Sequence, residues 1–300
     1  MYISQPFQTT LTKSVSRSGI GLHSARLVDI KISPAPADTG IVFRRTDVSS
    51  VETAIKAVSG NIADTMLNSR IMNDDGVAIG TIEHLMAAFA GLGVDNAFVD
   101  VNAAELPAMD GSSSLFCAMI NDAGIELLNS SRKYIKVIKP VRIKTERSEA
   151  SISPSDRLEI DVTIDFDDPL IGKSQYFYVH DDGSFENELA PARTFCLYKD
   201  LTKMRAAGYV VDNGTLLNES GLRFTDEFVR HKTLDCIGDL SLAGLPLIGH
   251  IRCSQPGHAV NNKLLEALLQ DESAWIVVDA AEIASPAPAA TEAEPVPAFA

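Results

Sequence analysis

The chain has 300 residues, 45% of them hydrophobic and 22% charged, with a formal net charge of −14. That length suits one or two domains with sizeable cores. The acidic balance excludes a nucleic-acid surface, which needs clustered Lys and Arg, but allows a phosphorylated small molecule held by a few local cations. Taken in chain order, the opening is strand-rich. Residues 10–15 alternate loosely, 27–33 (Leu-Val-Asp-Ile-Lys-Ile-Ser) alternate clearly, and 40–44 continue as a strand. Residues 81–92 read as a helix ending at Gly91 and Gly93, which suit a C-cap. A strand at 96–101 and a second helix at 113–123, stopped by Gly124, complete the first half.

The second half repeats this order loosely. Strands are expected at 134–143 and 158–166, a helix at 225–243 stopped by Gly244-Leu-Pro, a strand at 249–253, a helix at 261–270 and a strand at 274–279. The shared order predicts an α+β chain of two similar domains, 1–128 and 129–283, joined near Asn129-Ser-Ser-Arg132, each a sheet with two main helices. Residues 284–300 alternate Pro and Ala with few large apolar groups, cannot offset the entropy of ordering, and are expected to be disordered. Cys117, Cys196, Cys236 and Cys253 show no Cys-x-x-Cys spacing and read as buried thiols of a reducing compartment, the cytoplasm. No apolar run is long enough to span a bilayer, and the N-terminus lacks the basic region and apolar core of a signal peptide.

The segment Glu227-Phe-Val-Arg-His-Lys-Thr-Leu-Asp-Cys-Ile-Gly-Asp239 carries the most chemistry. It spaces His231, Asp235 and Asp239 four residues apart, so on a helix they stack along one face. Val229, Cys236, Ile237, Leu240 and Ala243 fall mainly on the other, leaving the polar face to hold a metal. His and Asp at i and i+4 can reach one ion. Thr81-Ile-Glu-His-Leu sets Glu83 beside His84 at the start of another helix. Two imidazoles and one carboxylate, with a spare Glu, suit a catalytic zinc site with an open position for water. From spacing alone, His-x-x-x-Asp is more often a solvated face, and Glu83 is equally a helix-start carboxylate favoured by the helix dipole. His23 is a rival ligand but reads as structural; His180 and His250 have no partner motif.

These segments, with Gly257-His-Ala-Val-Asn-Asn262, Ser18-Gly-Ile-Gly-Leu-His-Ser24, Gly91-Leu-Gly-Val-Asp-Asn96, Glu105-Leu-Pro-Ala-Met-Asp-Gly-Ser112 and Ala192-Arg-Thr-Phe195, resemble the UDP-3-O-acyl-N-acetylglucosamine deacetylases. Those are zinc amidases of the lipid A pathway, and the likeness runs in the family's order from about residue 8 to 275. The resemblance implies two α+β domains packed helix layer against helix layer, with the metal between them. It implies His84, His231 and Asp235 as ligands of Zn2+, a donor set that also accepts Fe2+. It assigns Glu83 as general base and His258 as the protonated imidazole that supports the oxyanion and assists amine departure. Asp239 can hold His258 and raise its pKa, since an opposite charge favours the imidazolium. Thr194 is implied as an oxyanion donor, Lys232 as a contact of the nucleotide diphosphate, Asp200 as a neighbour of the sugar nucleotide and Phe195 as a contact of the acyl chain. The expected partner is an acylated UDP-amino sugar, and the expected state is a cytoplasmic monomer.

The chain departs from the family pattern near the site. Between Met204 and Leu217 it lacks a Gly-Gly-Ser run that helps build the acyl passage, so the passage reads as shortened and the dependence on acyl length as flatter. It also lacks a proline before Phe116, and Asn68 stands where several relatives have Cys. A paralogue acting on a differently acylated amino sugar, or a non-catalytic sugar-nucleotide binding protein on the same fold, are the alternatives.

Overall fold

In the first half, alternate residues of strand Leu27–Pro34 turn inward. Val28, Ile30 and Ile32 are buried while Leu27, Asp29 and Lys31 face solvent. The computed structural model describes residues 5–49, 51–197, 209–212, 215–216 and 220–281. Leu27–Pro34 is second in a five-stranded sheet ordered Val15–Ile20, Leu27–Pro34, Ala97–Val101, Ile41–Arg45 and Ala54–Lys56. Only the Ala97–Val101 and Ile41–Arg45 pair is parallel. Helix α1 (Glu83–Leu92) is buried from Glu83 through Phe89, the pattern of an interior helix. It stops at Gly93, whose φ of 71° places it in the left-handed region. Helix α2 (Ser114–Ala123) packs on α1.

The second half is organised by strand Leu247–Ser254. One edge pairs with Glu149–Ser153 and Lys133–Val137, the other with Leu158–Asp165, whose Ile160, Val162 and Ile164 turn inward. Val141–Lys144, Lys173–Val179 and Trp275–Asp279 extend this sheet to seven strands. Helices α3 (Ser184–Glu188), α4 (Glu227–Leu240) and α5 (His258–Gln270) follow in chain order. Helix α4 packs along α1 and also against α5 and Leu158–Asp165. One apolar cluster therefore runs through both halves.

Several expected elements are redrawn. The strand expected at 10–15 is two, Phe7–Leu11 and Val15–Ile20, parted by the polar Thr12-Lys-Ser turn. Phe7–Leu11 pairs with Ile125–Ser131, a strand on which the expected domain joint falls. The strand expected at 134–143 breaks into Lys133–Val137 and Val141–Lys144. Pro140 has no N–H to offer a ladder, and the N–H groups of Ile138 and Lys139 both go to the Ala274 carbonyl. The helix expected from 225 begins at Glu227 and passes at Ser241–Ala243 into a 3-10 turn. The helix expected from 261 begins at His258. Cys117, Cys236 and Cys253 are buried as expected, and Cys196 only partly. Residues 284–300 lie outside the described residues. Among the described residues no helix is long and apolar enough to cross a membrane.

Candidate metal centre

Helix α4 does not leave its polar face in water. Packed between α1, α5 and the second sheet, it buries both faces, and Glu227, His231, Asp235 and Asp239 are all at most 3% exposed. The N-terminal turn of α1 brings His84 to meet them. His84 Nε2 lies 3.7 Å and His231 Nε2 3.3 Å from Asp235 Oδ1. Donor atoms sharing one tetrahedral ion at about 2 Å sit about 3.3 Å apart, so these separations suit a single divalent cation. His231 Nδ1 donates to the Ala192 carbonyl at 3.0 Å, which leaves the lone pair on Nε2. Burial, and then the repulsion between two protons on adjacent rings, push His84 down to about 3, and burial lowers His231 as well, so both rings are neutral near pH 7. Burial would raise Asp235, but the neighbouring His231 imidazole and the Lys232 cation hold it below the usual carboxylate range. Asp235 Oδ1 is buried with no hydrogen-bond partner. An orphaned anionic oxygen facing two neutral imidazoles fits a metal ligand set; as a plain ion pair it would be a costly burial.

Beside these donors lies a second cluster. His258 Nδ1 donates to Asp239, 2.9 Å from Oδ2, and His258 Nε2 is 3.8 Å from Glu83 Oε1. Burial would depress His258, yet the carboxylates of Asp239 and Glu83 hold it up at about 10. Burial pushes Glu83 up to about 7, against the opposing charge of His258. Ser69, which the sequence reading passed over, orients both acids. Its N–H donates to Glu83 Oε2 at 3.0 Å and its hydroxyl to Asp239 Oδ1 at 2.5 Å. Asn261 Nδ2 donates to Asp239 Oδ2 at 2.8 Å.

The remaining expected residues surround this core. Thr194 precedes strand Phe195–Leu197, half-buried, its N–H donating to the Gly111 carbonyl at 2.7 Å. Phe195 packs edge-on against Phe228 and Phe166, with its ring centroid 6.5 Å from that of His231. Lys232 Nζ donates to Asp235 Oδ2 at 2.9 Å. Asp200 lies outside the described residues, as does most of 204–217; the backbone of Tyr209–Asp212 pairs in parallel with Phe195–Leu197. His23 stays with Asn68, whose Nδ2 is 3.0 Å from its Nε2, and is not among the clustered donors. Two supports carried no signal in the sequence reading. Glu227, fully buried, accepts from the N–H groups of Arg193 and Arg223 and so anchors the segment before Thr194 to α4. Thr81, two residues before Glu83, holds a φ of 57°, a strained setting for a β-branched residue.

Gly238 explains how close α1 and α4 come. A Cβ there would sit 2.1 Å from the Glu83 carbonyl oxygen, a backbone atom that cannot swing aside. Gly238→Ala is therefore expected to push Glu83 and His84 off the donors of α4 and to destabilise the protein by about 1–3 kcal/mol or more. Calorimetry with metal analysis reads both effects. A variant with the parent's melting point and metal content would show that the helices can separate freely.

The chain matches the family model for UDP-3-O-acyl N-acetylglycosamine deacetylase over residues 8–270. It is 44% identical to a Histophilus somni protein named UDP-3-O-acyl-N-acetylglucosamine deacetylase, covering 89% of this chain and 92% of the relative. Proteins of the same name from Aliivibrio fischeri and Shewanella frigidimarina are each 42% identical, over 89% and 91% of this chain and 92% of each relative. Every candidate site residue falls inside the matched span.

Proposed function

This chain belongs to the UDP-3-O-acyl N-acetylglycosamine deacetylase family, and from that premise we infer its reaction and the residues that carry it. It is an amide hydrolase that removes the N-acetyl group of UDP-3-O-acyl-N-acetylglucosamine in lipid A biosynthesis, releasing acetate and a free amine. The observation that carries the site assignment is Asp235 Oδ1, buried and unpartnered beside two neutral imidazoles.

His84, His231 and Asp235 would hold the metal. When bound, a zinc ion (or iron(II), which suits the same donors) supplies Lewis acidity at the acetyl carbonyl and makes a nearby water more acidic. The proton movements belong to the chain. Glu83, with a pKa of about 7, takes a proton from the attacking water near neutral pH. His258 is protonated well above neutrality and, with Nδ1 occupied by Asp239, turns its Nε2 proton toward the reaction. That proton stabilises the developing oxyanion and is then handed to the departing amine. The Thr194 hydroxyl adds a second donor, on a segment pinned by its own N–H and by Glu227. Lys232 meets the diphosphate, Asp200 the sugar nucleotide and Phe195 the acyl chain. We read residues 1–128 and 129–283 as two α+β domains packed through their helices with the site in the seam. The pairing of α1 with α4 and the mixed origin of the donors support this. Three buried cysteine thiols, Cys117, Cys236 and Cys253, suit a cytoplasmic enzyme, which we take to act as a monomer.

The test is acetate release coupled to metal analysis. A metal-loaded protein that binds the substrate and releases no acetate would overturn the reading. The two shifted pKa values also set a pH profile. Glu83 must lose its proton, so kcat/KM rises as pH climbs to about 7, and a bound cation moves that limb lower. His258 must keep its proton, so kcat/KM falls as pH passes about 10, and His258→Gln should abolish this alkaline limb. An unchanged alkaline limb in His258→Gln would remove His258 from the acid role.

A further inference from the structure

We propose that a cavity on the other side of the α1–α4 pair is a binding site for a fatty-acid-like amphiphile, a carboxylate on an acyl chain, separate from the catalytic centre. The cavity has a volume of about 340 Å³. Helix α1 contributes Met86 and Phe89 to its wall, α4 contributes Ile237 and Leu240, and the second sheet contributes Ile160 and Ile251. Met86 and Phe89 lie two and five residues beyond His84, and Ile237 and Leu240 two and five beyond Asp235. At about 100° per residue these offsets turn them roughly 140–200° away from the metal donors. The two helices thus present one face to the metal centre and the opposite face to this cavity. None of the candidate catalytic, metal or substrate residues lines it.

Two features specify the ligand. The wall that α1, α4 and the second sheet build is largely apolar; an apolar cavity of about 150 Å³ holds a benzene, so this one accommodates a chain of about a dozen carbons. The rim is basic. Lys56, Lys133 and Arg157 line it against Asp38, while Arg132 is buried and its charge is taken up by Asp95, 2.8 Å from its Nε. Lys56, Lys133 and Arg157 are exposed. A basic rim on a chain of net charge −14 reverses the local sign and matches an anionic head over an apolar tail.

The experiment is isothermal titration of the full chain with dodecanoate below its micelle concentration, which needs no turnover and stands apart from the deacetylase assay. The wild type should bind one equivalent, at least about tenfold more tightly than 1-dodecanol. Reversing the rim with Lys133→Glu and Arg157→Glu, both surface changes, should weaken dodecanoate at least about tenfold and erase its advantage over the alcohol. Ala90→Phe, which fills the cavity from α1, should abolish binding and leave deacetylation intact. Absence of binding to the wild type, equal binding to the rim variant, or displacement of dodecanoate by the acylated UDP-sugar would each overturn the proposal, the last by placing the chain in the catalytic passage.

Discussion

Replacing His231 by alanine will empty the metal centre and lower kcat/KM by about 10³-fold or more. The imidazole is held by one hydrogen bond to the Ala192 carbonyl and points its other nitrogen at Asp235 Oδ1, 3.3 Å away. Without it the ion keeps His84 and Asp235, two donors where a catalytic zinc uses three. The Lewis acid contributes several kcal/mol of transition-state stabilisation, and each 1.4 kcal/mol is a factor of ten in rate. Metal analysis should fall from near one equivalent to near none. His23→Ala is the matched control, because His23 is an imidazole engaged with Asn68 outside the donor cluster, and it should keep its metal. A chelator applied to the parent protein should also lower its melting temperature, since a ligand that binds only the folded state stabilises it. Full metal occupancy in His231→Ala would remove His231 from the ligand set.

The pattern of four-residue spacing in α4 made the convergence of His231 and Asp235 legible, and the Glu83-His84 dipeptide marked the other half of the cluster. Sheet strands such as Leu27–Pro34 and Leu158–Asp165 were legible for the same reason: long alternation has a clear period. Strands of two or three residues, such as Ala54–Lys56, Arg70–Met72 and Ala78–Ile79, have too few residues to show one. The burial of α4 on both sides was hidden because a polar face looks solvated until other polar groups close over it. Ser69 shows the limit most plainly. It sits in an unremarkable Leu-Asn-Ser-Arg run, and its bond to Asp239 spans 170 residues of chain. The left-handed φ of Thr81 and the cavity behind the α1–α4 pair likewise arise only from tertiary closure.

Glu83→Gln separates chemistry from binding, and kcat should fall by about 10²–10⁴-fold, the usual worth of a general acid–base residue. Gln is the same shape and can still accept the Ser69 N–H through its amide oxygen, now 3.0 Å from Glu83 Oε2. Metal content should therefore stay at the parent level, and substrate affinity should change little. Stability gives an independent check. Burial and the neighbouring carboxylates Asp239 and Asp235 raise Glu83 to about 7 in the folded state, from an ordinary 4.5. A carboxylate with a raised folded pKa costs stability once pH exceeds its unfolded value, and the full cost is reached above the folded value. In metal-free protein above about pH 7, removing the charge should thus leave the melting point equal or higher. A fall in kcat with unchanged metal and no loss of stability cannot come from a damaged fold. A variant that retains near-normal kcat would show that another group takes the proton, and one that loses its metal would show that Glu83 acts through the ligand set.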